Sequence, residues 1–152
     1  MNIQVAVNGY GVIGKRVADA VRAMPDMDLV GVADVATDWR IRTAVGLGIE
    51  VFAAIEDAAT AMRAAGVPVA GTLSDLLARV DVVVDTTPKK VATTNLQAYR
   101  AAGVKAVFQG GESHATTGHS FVAQANYATA LGRETTRVVS CNTTSIVRVL
   151  GA

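Results

Sequence analysis

Cysteine is almost absent from this chain: Cys141 stands alone among 152 residues. No disulfide can therefore close within it, which fits a reducing compartment, and the cytoplasm is the expected location. Charge of one sign is lacking as well. Lys plus Arg number 14 against 13 for Asp plus Glu, a net charge of +1, so there is no basic surplus with which to hold nucleic acid or an anionic membrane. Long apolar runs are missing too. Although 51% of the residues are hydrophobic, charges recur every few positions and no stretch approaches the roughly 20 residues of a membrane helix. Neither a basic leader nor a small-residue cleavage site precedes the first strand pattern, so no export is expected. Without solenoid repeats or low-complexity linkers, the chain reads as one compact, soluble domain.

What is present alternates. Ile3, Val5 and Val7 make a first buried strand that ends at Gly9. Ile13, Val17, Ala20, Val21 and Met24 recur at three- and four-residue steps, which predicts a helix from Val12 to Met24 stopped by Pro25. Leu29 to Ala33 completes a βαβ unit. The same alternation predicts helices at Trp39 to Gly46, at Glu56 to Ala65, at Asp75 to Arg79 with Ser74 as N-cap, at Lys90 to Ala102 with Gly103 as its stop, at Phe121 to Leu131 and at Thr143 to Leu150. Strands are expected at Val51 to Ala54, Asp81 to Asp85, Val104 to Phe108 and Arg137 to Ser140. Right-handed crossovers then imply a three-layer αβα, Rossmann-type fold around a doubly wound, mostly parallel sheet.

Gly9-Tyr10-Gly11-Val12-Ile13-Gly14 lies between the first strand and the first helix, the setting in which a GxGxxG run signals dinucleotide binding. Gly9 serves the tight turn, Gly11 the close approach of a pyrophosphate, Gly14 the packing of helix on sheet, and the N–H groups around Val12 and Ile13 face the phosphates. Asp34, twenty residues beyond Gly14, closes the second strand, where an acid bonds the adenosine ribose. A carboxylate there repels a 2′-phosphate, so NAD is expected as the preferred cofactor. NADP stays possible because Arg40 and Arg42 lie close enough in sequence to swing towards that phosphate. Thr86, Thr87 and Pro88 end the strand beside the topological switch point; Thr87 and Pro88 either line the cofactor ribose or simply stop the strand.

Ser140-Cys141-Asn142-Thr143-Thr144 follows a strand and opens a helix. A thiol at a helix N-terminus is more acidic and more exposed than a buried structural cysteine, so Cys141 is the candidate nucleophile.

Four stretches, Asn8 to Ala20, Asp85 to Pro88, Phe108 to Glu112 and Val138 to Thr144, together resemble the archaeal-type glyceraldehyde-3-phosphate dehydrogenases, in one order along the whole chain. The resemblance implies that Cys141 is the catalytic nucleophile, that Ser140, Asn142 and Thr143 border the substrate, and that Gly110 and Gly111 join Gly9 to Gly14 in contacting the cofactor. It also implies a reaction. The Cys141 thiolate attacks the aldehyde carbon of glyceraldehyde 3-phosphate, hydride passes to the nicotinamide, and inorganic phosphate releases 1,3-bisphosphoglycerate from the thioester. Dual use of NAD and NADP is the family's tendency; Asp34 pulls the expectation towards NAD.

Members of that family continue into a second domain that carries the catalytic histidine and the phosphate-holding arginines. Residues 1–140 are accordingly expected to form the dinucleotide-binding domain, and residues 141–152 the start of the cysteine helix, with the catalytic domain absent. On that expectation the chain binds cofactor but lacks full turnover, being an excised domain or a single-domain relative. His114 and His119 match no catalytic histidine and are expected at the surface. Ile146, Val147, Val149 and Leu150, left uncovered, favour a homodimer through this end. Two competing readings are a non-catalytic dinucleotide or redox sensor, and a domain like that of aspartate-semialdehyde dehydrogenase, which the cysteine run fits less well.

Overall fold

The computed structural model describes residues 1–151; Ala152, the last residue of the expected segment 141–152, lies outside them. Eight strands form one sheet: β1 (Ile3–Asn8), β2 (Met27–Asp34), β3 (Val51–Ala53), β4 (Val69–Thr72), β5 (Val82–Asp85), β6 (Lys105–Phe108), β7 (Ser120–Phe121) and β8 (Thr135–Val138). Eight helices connect them: α1 (Val12–Arg22), α2 (Trp39–Gly46), α3 (Glu56–Ala64), α4 (Leu73–Leu77), α5 (Val91–Ala102), α6 (His114–Thr117), α7 (Ala123–Ala130) and α8 (Cys141–Leu150). The strand order is β4-β3-β2-β1-β5-β6-β8-β7, and every pair runs parallel. The chain winds outwards from β1 in one direction and from β5 in the other, so the switch point lies between these two strands.

Alternation along the strands feeds two cores. On one face Val7, Val32, Val51 and Ala53 pack against Ala18 of α1, Ile41 and Ala44 of α2, and Ala58, Ala59 and Met62 of α3. On the other, Ala6, Ala33, Phe52, Val83, Ala106 and Phe108 meet Leu73, Leu76 and Leu77 of α4 and Ala92, Leu96 and Tyr99 of α5. This is the expected three-layer αβα fold.

Local chemistry explains where the elements depart from expectation. Helix α1 ends at Arg22, short of the expected Met24; it turns Gly14, Ala18 and Val21 inwards and leaves Ile13 exposed, because Gly14 has to sit against the carbonyl of Gly9. Helix α4 begins two residues early: its cap is Thr72, not Ser74, in a capping box closed by Asp75, whose Oδ2 accepts the Thr72 N–H at 2.7 Å. Strand β4 and the one-turn helix α6 lie outside the elements expected from the sequence, and Phe121, expected to open a helix, belongs to the two-residue strand β7. Gly103 does end α5, in the left-handed conformation at φ 71°.

Candidate functional site

Because all strands run parallel, their carboxyl ends share one edge of the sheet. Asn8 of β1 is paired with Ala33 of β2 and Asp85 of β5, Asp85 with Phe108 of β6, and Phe108 with Arg137 of β8. The segments that follow this row therefore line up: Asp34, the Gly9–Gly14 turn, Thr86-Thr87-Pro88, Gly110-Gly111, and then the Ser140-Cys141-Asn142-Thr143 run. At a strand spacing of about 4.8 Å, the distance from β1 to β8 is roughly 14 Å.

The glycine turn fits a bound phosphate group. A methyl at Gly14 would lie 1.8 Å from the Gly9 carbonyl oxygen, and one at Gly9, whose φ is +92°, would meet the Thr86 backbone at 3.0 Å. A methyl at Gly11 would meet nothing within 4 Å, so this residue faces open space where a ligand can approach the backbone. Val12 and Ile13, at the start of α1, are exposed, and the first N–H groups of a helix have no intrahelical acceptor. Tyr10, between the first two glycines, is buried in the core under α1 and pins the turn to the domain.

Asp34 does more than terminate β2. Its Oδ2 accepts the Tyr10 N–H at 2.5 Å, and its Oδ1 accepts the N–H groups of Val35 at 2.7 Å and Ala36 at 2.9 Å. A carboxylate has about four acceptor positions, so one remains for a ribose hydroxyl. The two arginines near it are occupied elsewhere. Arg40 is held by Asp38, through Nε at 2.9 Å and a second contact from Nη2, and Arg42 donates from Nη2 to the Ala65 carbonyl at 2.9 Å.

Beneath the row lies a polar network that sequence reasoning missed. Asp85 is fully buried. Its Oδ1 accepts from the Thr87 N–H at 2.8 Å and the Thr87 hydroxyl at 2.6 Å, and its Oδ2 from the Tyr99 hydroxyl at 2.6 Å and Asn95 Nδ2 at 2.9 Å. Burial, and then the neighbouring Asp85 charge, push the Tyr99 phenol far above its ordinary pKa, so it stays a donor. Asn8 Nδ2 donates in turn to Tyr99 at 2.7 Å. Thr86 ties the same loop to the glycine turn, its hydroxyl reaching the Gly9 carbonyl at 2.5 Å. Thr87 is thus buried and locked, whereas Pro88 is exposed. Only the spacing of Asp85 from Asn95 and Tyr99 on one helix face carried any hint of this.

Cys141 is exposed and is the first residue of α8. Ser140 caps that helix: its Oγ accepts the Thr143 N–H at 3.2 Å and lies 2.9 Å from the Thr143 hydroxyl. Cys141 Sγ lies 3.8 Å from Asn142 Oδ1. The four residues thus form one exposed turn. The expectation for His119 fails. It is buried, with Nδ1 2.7 Å from the Thr136 hydroxyl and Nε2 2.9 Å from that of Thr129, because this imidazole ties α7 to β8. His114 is exposed as expected and pairs with Ser120.

A family model described as "Dihydrodipicolinate reductase, N-terminus" matches residues 3–143. The chain belongs to this dinucleotide-binding family. Within that frame the chain is 53% identical over 152 residues to glyceraldehyde-3-phosphate dehydrogenase of Thermococcus onnurineus, covering 100% of this chain and 46% of the relative. The figures are the same for that of Pyrococcus furiosus. The enzyme of Methanothermobacter thermautotrophicus is 49% identical over 148 residues, covering 97% of this chain and 44% of the relative. The chain thus spans about half the length of these relatives and corresponds to their N-terminal NAD(P)-binding domain. Among solved structures, GenD2 from gentamicin A biosynthesis in complex with NAD superposes with a TM-score of 0.55 at 25% identity, over 71% of this chain and 26% of that one. UDP-N-acetylglucosamine 3-dehydrogenase from Acidithiobacillus ferrooxidans gives 0.54 at 23% identity, over 72% of this chain and 29% of that one, and shares the fold. The Rossmann domain takes a nicotinamide dinucleotide. Among the described residues no helix is long and apolar enough to cross a membrane, and no cluster of side chains is arranged to hold a metal ion.

Proposed function

We propose that this chain is the cofactor-binding domain of a phosphorylating glyceraldehyde-3-phosphate dehydrogenase that prefers NAD. The observation that carries the reading is the single row of strand ends that sets Asp34, the glycine turn, Thr87-Pro88 and Gly110-Gly111 in line with Cys141. In this reading residues 1–140 bind the dinucleotide, with Gly9, Gly11, Val12, Ile13 and Gly14 at the pyrophosphate and Asp34 at the adenosine ribose. The segment from Cys141 opens the helix that leads into the catalytic part. When bound, the dinucleotide supplies the acceptor for a hydride.

The chain's own groups do the rest. Cys141 offers an accessible sulfur to an aldehyde carbon, and the free N–H groups at the start of α8 stabilise the oxyanion that forms there. Ser140 and Thr143 hold that turn in place, and Asn142 borders the substrate. His119 is not free to act as base, since both of its ring nitrogens face threonines, and exposed His114, bonded through Nδ1 to Ser120, matches no catalytic histidine of the family. In the family this chain resembles, the catalytic histidine belongs to the second domain, and without such a general base turnover falls by about a hundredfold to ten-thousandfold. Preference for NAD follows from the Asp34 charge and from the bonds that engage Arg40 with Asp38 and Arg42 with the Ala65 carbonyl. The lone thiol suits the cytoplasm, and the exposed Ile146, Val149 and Leu150 suit self-association.

Calorimetric titration with NAD and then NADP tests the cofactor reading: saturable binding with NAD clearly tighter is expected, and equal or tighter NADP binding overturns the role of Asp34. Iodoacetamide tests the cysteine. Alkylation of Cys141 faster than that of free cysteine at neutral pH supports the nucleophile, and an inert thiol supports a non-catalytic binding module. Light scattering across concentrations tests the dimer, which a monomer at high concentration excludes.

A further inference from the structure

Glu112 follows the Gly110-Gly111 turn at the carboxyl end of β6 and is only 4% exposed. Its two carboxylate oxygens differ. Oε2 accepts the Gly110 N–H at 3.1 Å, whereas Oε1, equally buried, meets no donor among the described residues. Arg137, the cation that touches this residue, donates from Nη1 to the Glu112 backbone carbonyl at 2.8 Å and from Nε to the Ser120 hydroxyl at 2.8 Å, leaving the carboxylate alone. A buried carboxylate oxygen without a donor is destabilising, and in a native protein it calls for an explanation.

Its position supplies one. A methyl at Gly110 would fall 2.8 Å from Oε1 and 2.1 Å from the Thr87 carbonyl oxygen. Acceptors from the β5 and β6 loops therefore crowd one side of Gly110. These loops lie across the switch point from Asp34, in the second mononucleotide half of the fold. With Asp34 at the adenosine ribose, the group arriving here is the nicotinamide riboside, whose ribose hydroxyls and carboxamide N–H₂ are donors.

We propose that Glu112 is the acceptor that fixes the nicotinamide riboside half of the dinucleotide, its Oε1 taking a hydrogen bond from a ribose hydroxyl or from the carboxamide as the Gly110-Gly111 turn lifts off it. Both turn residues lack side chains, and Gly111 sits at φ +91°, so no side chain of the turn opposes that movement. This inference rests on the cofactor reading given above.

Calorimetric titration of the wild type, Glu112→Gln and Glu112→Ala with NAD, ADP-ribose and ADP tests it, alongside thermal midpoints measured without nucleotide. In Glu112→Gln the remaining oxygen keeps the Gly110 N–H, and the amide places a donor where the cofactor needs an acceptor. NAD binding is expected to weaken about tenfold or more in both variants, ADP binding to stay unchanged, and the midpoint of Glu112→Gln to hold or rise. Loss for NAD alone assigns the carboxamide as donor, and equal loss for ADP-ribose assigns the ribose. Unchanged NAD binding overturns the proposal, as does an equal loss for ADP, which would mean that Glu112 only shapes the loop. A wild type that binds neither NAD nor ADP sinks the glycine-turn reading itself, and the role of Glu112 with it.

Discussion

The domain has two unequal regions. From β1 to β6 every strand is covered on at least one face by packed helix, and residues such as Val7, Ile41, Met62 and Leu76 are wholly buried. From α7 onwards the packing thins: neither α7 nor α8 has a single buried residue, and Tyr127, Leu131, Ile146, Val149 and Leu150 are all exposed. The glycine turn and Asp34 belong to the closed region, and the cysteine stands at the margin of the open one. The proposed binding site, which must keep its shape, is thus built on dense packing, while the proposed nucleophile sits on a helix whose apolar face is exposed.

Substitutions should separate these regions sharply. The largest effect is expected for Gly14→Ala, whose methyl would collide with the Gly9 backbone; it should cost about 3 kcal/mol or more and abolish cofactor binding. Gly11→Ala is its control. With open space around it, the thermal midpoint should hold while NAD titration shows weakened binding, and parallel losses in both variants would contradict a ligand-facing Gly11. Next comes the contrast between Leu76→Ala and Leu150→Ala. Chemical denaturation should show a loss of about 3 kcal/mol for the first and a change within about 0.5 kcal/mol for the second. A substantial loss at Leu150 would mean that the open region is covered in solution.

How far these regions could be read in advance depends on how local their signals are. The glycine turn, Asp34, Gly103 and the cysteine run are short-range patterns whose physics is carried by neighbours in the chain, and the structure places them on the expected segments. Thr72-Leu73-Ser74-Asp75 is also local, and its capping box was legible; choosing Ser74 as cap shifted α4. Asp85, Tyr99, Asn8 and Glu112 could not be read this way, because their meaning lies in partners far along the chain or in the lack of any. His119 deceived for the same reason. A histidine among Thr117, Gly118 and Ser120 reads as loop, and only Thr129 and Thr136 make it internal.

Two smaller tests refine the comparison at its seams. Lys90 precedes α5 with φ at 83°, a left-handed conformation that disfavours side chains, so Lys90→Gly should stabilise the closed region by about 1 kcal/mol in denaturant titration. His119 ties the open region to β8. Burial, then Arg133 and His114, lower its pKa below the ordinary 6.5. The unfolded chain therefore takes up this proton first, so the stability His119 contributes is present above about pH 6.5 and falls away as pH drops towards its folded-state value. His119→Asn should remove that step from the pH profile of the thermal midpoint, and an unaltered profile would mean that another group is responsible.

Asp34 has an evolutionary consequence. The carboxylate that would exclude a 2′-phosphate is also the one that gathers the N–H groups of Tyr10, Val35 and Ala36. A lineage drifting towards the phosphorylated cofactor cannot simply exchange this side chain, because the same change removes one of the ties that hold the glycine turn. Neutral steps must come first: a substitute acceptor for Tyr10, or release of Arg40 from Asp38. Cofactor choice in this domain is therefore expected to change along few routes and in a fixed order, with anchoring residues replaced before the acid.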